Sequence, residues 1–187
     1  GKGYCWGSGT NGRLGNGSTA QQTTPVAVTM PSGVTFSSIS ADGTHTCATG
    51  NNGKGYCWGS GTNGRLGNGD TTQQATPVAV SQGSIPSNVT LSSISAASHT
   101  CAIDTDSNGY CWGMNNNGQL GNDETTDRPT PSYILLKGLK PTIEFGTTPA
   151  ASTTYTSTTA MSAVTPALST SGLITVKLTN PDGQYTT

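Results

Sequence analysis

The first 17 residues, GKGYCWGSGTNGRLGNG from Gly1 to Gly17, return without a change at Gly53 to Gly69. A looser third copy, NGYCWGMNNNGQLGND, starts at Asn108 and keeps Tyr110, Cys111, Trp112, Gly113, Asn117, Gly118, Leu120, Gly121 and Asn122 in order. Tyr-Cys-Trp-Gly therefore recurs at intervals of 52 and then 54 residues, the range of propeller blades and solenoid units. In such chains each unit buries its apolar face against its neighbours.

The segments between the copies repeat as well. TPVAV stands at Thr24 and Thr76, VTFSSIS at Val34 against VTLSSIS at Val89, and THTCA at Thr44 against SHTCA at Ser98. Thr35 and Ser37 alternate with Val34 and Phe36, as Thr90 and Ser92 alternate with Val89 and Leu91, which is the period-2 pattern of a half-buried strand. One unit thus holds about four strands. The copies differ chiefly in loop length: TMPSG after Val28 becomes SQGSIPSN after Val80, and Ala41-Asp42-Gly43 shortens to Ala96-Ala97.

Only 9% of the residues are charged and the net charge is -1, so the chain has no electrostatic footprint for nucleic acid or anionic lipid. No apolar run approaches the roughly 18 residues of a membrane helix. With neither an initiator Met nor a signal peptide ahead of Gly1, the chain is expected to be a processed or internal piece.

Cys47 and Cys57 are ten residues apart, as are Cys101 and Cys111, each pair flanking a Gly/Asn-rich hairpin tip. Cross-strand disulfides are the first reading, with Asn51-Asn52-Gly53 as a three-residue loop. Zinc is the rival reading; it favours closer pairs such as C-x2-C, and the chain has only two His. Paired cysteines point to an oxidising, extracytoplasmic compartment. Cys5 aligns with Cys57, whose partner lies ten residues upstream, so Cys5 is expected to be unpaired in this chain.

Taken together, YCWGSGTNGRLGNG, TPVAV, VTFSSISADGTHTCA and the return to GYCWG resemble the regulator of chromosome condensation repeat over residues 1 to 137. The resemblance implies a β-propeller whose blades are four-stranded sheets, here incomplete at about two and a half repeats. Within that family, nuclear members act on chromatin and a small GTPase. Secreted bacterial relatives are surface proteins or protein inhibitors, including a β-lactamase inhibitor, and the paired cysteines favour this second group. Residues 138 to 187 resemble the IPT/TIG immunoglobulin-like domain through Phe145, Gly146, Pro149, Ala150, Pro166, Gly172, Val176, Leu178 and the Asn180-Pro181-Asp182-Gly183 turn. That implies a partial β-sandwich lacking its first strand and serving as a spacer.

A search for catalytic groups finds His45 and His99 in the same slot of two repeats, where an architectural, hydrogen-bonded role is expected. Asp104-Thr105-Asp106-Ser107-Asn108-Gly109 reads like half of a calcium loop, but its twelfth position is Asn115 rather than Glu. Trp6, Trp58 and Trp112 read as core residues before sugar platforms. No catalytic residue, cofactor or metal is expected. The candidate binding residues are in the loops: Asn11, Arg13, Asn63, Arg65, Asn117 and Gln119. The expected protein is a non-enzymatic, extracellular, bacterial cell-surface protein for adhesion or a filament; the alternative is a secreted protein-binding inhibitor. Its partners would be a protein or a surface glycan, with self-association or a longer parent chain, and neither nucleic acid nor membrane insertion.

Overall fold

The computed structural model describes residues 1–134, 142–157, 160–166, 175–179 and 185–186. The chain divides into two units, Gly1–Ile134 and Leu135–Thr187.

Unit 1 is a series of antiparallel sheets with two single-turn 3-10 segments, Thr10–Gly12 and Thr62–Gly64. The first sheet has two strands, β1 (Tyr4–Gly7) and β2 (Gln22–Ala27). The second has four in sequence order: β3 (Phe36–Ala41), β4 (His45–Gly50), β5 (Gly55–Gly59) and β6 (Gln74–Ala79). The third repeats that order with β7 (Leu91–Ala96), β8 (His99–Asp104), β9 (Gly109–Gly113) and β10 (Arg128–Tyr133). Sheet and sequence repeat are out of phase. Each four-stranded sheet takes its first two strands from the end of one copy and its last two from the start of the next, which ties successive copies together.

The β4–β5 register sets Cys47 opposite Cys57, and β8–β9 sets Cys101 opposite Cys111. Each pair forms a disulfide, with S–S distances of 2.14 and 2.01 Å. At the β4–β5 tip the Gly50 N–H donates to the Lys54 carbonyl at 2.8 Å, which leaves Asn51-Asn52-Gly53 outside the ladder. Gly53 sits at φ +73, and a Cβ there would lie 2.3 Å from Thr90, so the tip needs glycine for backbone and space alike. Among the described residues β1, which carries Cys5, pairs only with β2, and the Cys5 thiol is free. Burial pushes that thiol's pKa up.

The scarcity of large apolar side chains gives two small core clusters. One joins Val28, Phe36, Ala48, Tyr56 and Trp58; the other includes Leu66, Leu91, Ile94, Tyr110 and Trp112. Both mix residues from adjacent sheets, so the core lies along the seams. Phe36 stacks on Trp58 at 5.6 Å between ring centroids.

Unit 2 has a four-stranded sheet in the order β12-β11-β15-β16, formed by β11 (Thr142–Phe145), β12 (Thr148–Pro149), β15 (Val176–Thr179) and β16 (Tyr185–Thr186). A separate hairpin pairs β13 (Ser152–Ser157) with β14 (Ala160–Val164). Gly172 and the Asn180-Pro181-Asp182-Gly183 turn, on which much of the immunoglobulin-like expectation rests, lie outside the described residues. So does the expected domain start at 138.

Candidate protein-binding site

The residues that the repeats share go into the seams. In the first seam the Arg13 carbonyl accepts from Trp58 Nε1 at 3.0 Å and from Thr46 Oγ1 at 3.0 Å. The second seam repeats the arrangement: the Arg65 carbonyl accepts from Trp112 Nε1 at 3.1 Å and lies 2.8 Å from Thr100 Oγ1. Two residues after each Arg comes a glycine at positive φ, Gly15 or Gly67. A Cβ on it would lie 2.6 Å from Trp58 Nε1 or 2.4 Å from Trp112 Nε1. The Asn-Gly-Arg-Leu-Gly turn is thus a socket for the next sheet's indole, and glycine lets the ring come down onto the backbone.

His45 adds a polar link to the second seam. Its Nδ1 lies 3.1 Å from Asp42 Oδ1 and its Nε2 lies 2.8 Å from Thr100 Oγ1. Burial, aided by the nearby Arg65 cation and opposed by Asp42, lowers the imidazole pKa to about 4, so the ring is neutral at pH 7. In the neutral ring Nδ1–H donates to Asp42, and the single Thr100 hydroxyl proton lies between two acceptors, His45 Nε2 and the Arg65 carbonyl, each 2.8 Å from Thr100 Oγ1. Burial alone would raise the Asp42 pKa, but the backbone N–H groups of His45 and Thr44, with the imidazole and the Thr44 hydroxyl, outweigh it and hold the carboxyl below its usual range. An Asp-His-Thr array has the order of a nucleophile triad, yet His45 and Thr100 are fully buried, and no substrate reaches the hydroxyl.

The two His residues part company here. The loop that supplies Asp42 is shorter in the next repeat, Asp42 has no counterpart there, and His99 Nδ1 is buried with no hydrogen-bond partner among the described residues. The expectation of a hydrogen-bonded role holds for His45 and fails at this His99 nitrogen.

The loop candidates also separate. Arg65, expected to contact a partner, is 9% exposed; its Nε donates to the Thr62 carbonyl at 2.9 Å and its NH1 to Thr44 Oγ1 at 2.7 Å. The structure makes it a clamp inside the molecule, because the next sheet covers its turn. Asn63 is partly covered, and its Nδ2 donates to Asp127 Oδ2 at 2.6 Å. Arg13 and Asn11 remain part-exposed, though the Arg13 guanidinium donates to the carbonyls of Thr10 and Gly43. Asn117 is exposed, and both it and the part-exposed Gln119 are braced only by polar contacts within their own turn. The surface available to a partner at this end is therefore Asn11, Arg13, Asn117 and Gln119.

Asp42, Thr46 and Thr100 were not singled out from sequence. The signal that could have found the two threonines is their recurrence in THTCA and SHTCA, directly after His and directly before the disulfide Cys, which marks Thr46 and Thr100 as equivalents. Asp104, read as a calcium ligand in the rejected alternative, closes its own turn. Oδ1 accepts from the backbone N–H groups of Asp106 and Asn108, both at 2.9 Å, and Oδ2 accepts from the Tyr110 hydroxyl at 2.9 Å. Among the described residues no cluster of three or more His, Cys, Asp or Glu could hold a metal ion.

Comparison with known proteins matches this chain to the regulator of chromosome condensation (RCC1) repeat at residues 1–49, 52–103 and 108–144. The ultraviolet-B receptor UVR8 of Arabidopsis thaliana is 32% identical over 136 residues, covering 72% of this chain and 30% of the receptor. The X-linked retinitis pigmentosa GTPase regulator of Canis lupus familiaris is 32% identical over 71% of this chain and 13% of its own length. The human E3 ubiquitin-protein ligase HERC2 is 30% identical over 70% of this chain and 3% of its length. The chain therefore spans less than a third of the length of these curated relatives. Among solved structures, human WBSCR16 superposes with a TM-score of 0.63 at 22% identity, over 74% of this chain and 36% of that one. Prp20p of Saccharomyces cerevisiae gives 0.61 at 21% identity, over 72% and 34%. The sheets of unit 1 are thus RCC1-like propeller blades.

Proposed function

Because the chain belongs to the RCC1 repeat family, we propose that it is a non-enzymatic protein-binding module of a cell-surface or extracellular protein, in the exported bacterial branch of that family. The observation that carries the reading is the division of labour among its polar residues. Trp58, Trp112, Thr46, Thr100, His45 and Arg65 are spent on buried seams, and what stays exposed or part-exposed in the turns are amide and guanidinium side chains suited to a protein surface. Family relatives point the same way: Prp20p binds Gsp1p and histones, and yeast RCC1 binds Kap60. This chain, with a net charge of -1, lacks the basic field that histone-free nucleic acid would demand. The exported location rests on a disulfide in each four-stranded blade. Unit 2 serves as an immunoglobulin-like spacer in this reading.

A photo-crosslinking side chain placed at Asn11 or Asn117 in the producing cell tests the binding face, with Ser38 on β3 as the control position. A discrete polypeptide adduct from the turn positions and none from Ser38 is the expected result. A tight one-to-one adduct with a single soluble enzyme would move the reading to an inhibitor. Adducts from Ser38 alone, or five reduced cysteines in freshly isolated protein, would overturn the binding face or the compartment respectively.

A further inference from the structure

A closed circuit of hydrogen bonds runs through the second seam, within the two four-stranded sheets and the turn between them. The His45 imidazole spans Asp42 Oδ1 at 3.1 Å and Thr100 Oγ1 at 2.8 Å, and Thr100 Oγ1 lies 2.8 Å from the Arg65 carbonyl. From the same Arg65, NH1 donates to Thr44 Oγ1 at 2.7 Å, and the Thr44 hydroxyl donates to Asp42 Oδ1 at 3.0 Å. His45 and Thr100 are fully enclosed, and Arg65 nearly so. The circuit depends on the longer loop of this repeat, because Ala41-Asp42-Gly43 shortens to Ala96-Ala97 in the next and the Asp is lost.

Charge is unevenly shared in the circuit. Asp42 and Arg65 are the charges that act on His45: the carboxylate favours a proton on the ring, and the guanidinium opposes it. Among the described residues no carboxylate is bonded to Arg65. Its guanidinium rests on neutral acceptors, the Thr62 carbonyl at 2.9 Å, Thr44 Oγ1, and Asn63 Oδ1 at 3.4 Å. Arg13 reaches the same loop at the Gly43 carbonyl, and Asp127 is bonded to Asn63 Nδ2 and the Asn115 N–H. Strand β8 presents Thr100, while its carboxylate, Asp104, is taken up by its own turn and by Tyr110. The neutral circuit has room for one more proton. With the proton on Nε2 the ring donates to Thr100 Oγ1 and the Thr100 hydroxyl donates to the Arg65 carbonyl, so no hydrogen bond is lost. The penalty is electrostatic, since imidazolium and guanidinium then share one enclosed site with a single carboxylate. His45 is fixed on β4 and paired with Asp42. Arg65 is the cation able to leave, because its stem is flexible and its head can reach water.

We propose that this circuit is an acid-operated release for Arg65: one proton taken up from solvent by His45 drives the Arg65 guanidinium off Thr44 and out to solvent, while the seam stays closed on the Arg65 carbonyl. The proton returns to solvent as the pH rises, and the clamp closes again. Asp42 stays ionised through the transition, because its backbone donors hold its carboxyl below the usual range. The folded His45 pKa of about 4 places the midpoint in mild acid. The release does not depend on the binding role proposed above; where that role holds, acid adds a guanidinium to the face that carries Arg13.

Solvent exchange of the arginine Nε–H groups, followed by NMR on the whole chain labelled with nitrogen-15, tests the release. Arg13 is the internal reference, since it stands in the same repeated segment and its Nε donates to the equivalent Thr10 carbonyl. Arg65 should exchange at least about tenfold more slowly than Arg13 at about pH 7 and within about twofold of it at about pH 4, with the Trp112 indole N–H still protected. His45→Gln should keep Arg65 protected in acid, and His45→Asn reads the same position if that variant does not fold. Thr44→Val should free Arg65 at both pH values. An exchange ratio that ignores pH overturns the proposal. So does release that persists in the His45 variants, an Arg65 still protected in Thr44→Val, or loss of Trp112 protection in step with Arg65, as opening of the whole seam would give.

Discussion

Trp6 and Trp58 occupy the same place in identical sequence, so their difference is a measure of neighbours alone. Trp58 is sealed by the Arg13 turn, by Phe36 and by strand β4; Trp6 has β2 beside it and solvent over it. Trp58→Ala is therefore expected to cost about 3 to 5 kcal/mol, and Trp6→Ala within about 0.5 to 1 kcal/mol in dilute monomer, as read from urea unfolding. Equal losses would mean the seam adds little. His45 gives the pH response. Its folded pKa of about 4 lies below the ordinary value of 6.5, so the unfolded chain binds the proton more readily and acid favours unfolding. Stability should be flat above about pH 7 and fall between about pH 6.5 and 4, by at most about 3 kcal/mol. Asp42, held below its usual range, adds its own loss only at the acid end of that window and beyond. His45→Gln should flatten the profile between pH 6.5 and 4, and a parent with no slope there would contradict the assignment.

At the scale of strands, the two disulfides hold the central hairpins of the two complete blades. Cys47 and Cys57 are fully buried, while Cys101 is part-exposed. Thiol exchange needs access to sulfur, so limited reduction should open Cys101–Cys111 first. Peptide mapping after alkylation reads the order, and prior loss of Cys47–Cys57 would refute it. Closing so short a loop stabilises each hairpin by about 2 to 3 kcal/mol, a useful sum where the apolar clusters are small. The hairpin was legible in advance because ten-residue cysteine spacing around Asn51-Asn52-Gly53 leaves one natural register. The role of Arg65 was not legible. A turn residue with a long cation reads as surface from its own segment, and only the blade packed against that turn shows it to be enclosed.

Over the whole of unit 1, protection should follow the number of seams a strand takes part in. Strands β4, β5, β8 and β9 lie inside four-stranded sheets, whereas β1 has one free edge in a sheet of two, and a lone strand pair is marginal in water. Amide hydrogen exchange should be fastest in β1 and slowest in β5 and β9 for this chain in dilute solution. Protection of β1 equal to that of β5 at low concentration would show that something other than a neighbouring blade covers it.

The amino-acid sequence by itself determined the repeat, its strands, its turns and its cysteine pairing, because each depends on residues close along the chain: alternation within a strand, glycine where φ is positive, and Cys facing Cys across one hairpin. The family followed from the same local pattern. Tertiary structure alone decided which copies of that pattern are enclosed. Burial of an indole, the neutrality of His45 and the capture of Arg65 all depend on what packs against a blade from outside its own segment. Identical residues cannot encode that difference; their position in the stack supplies it.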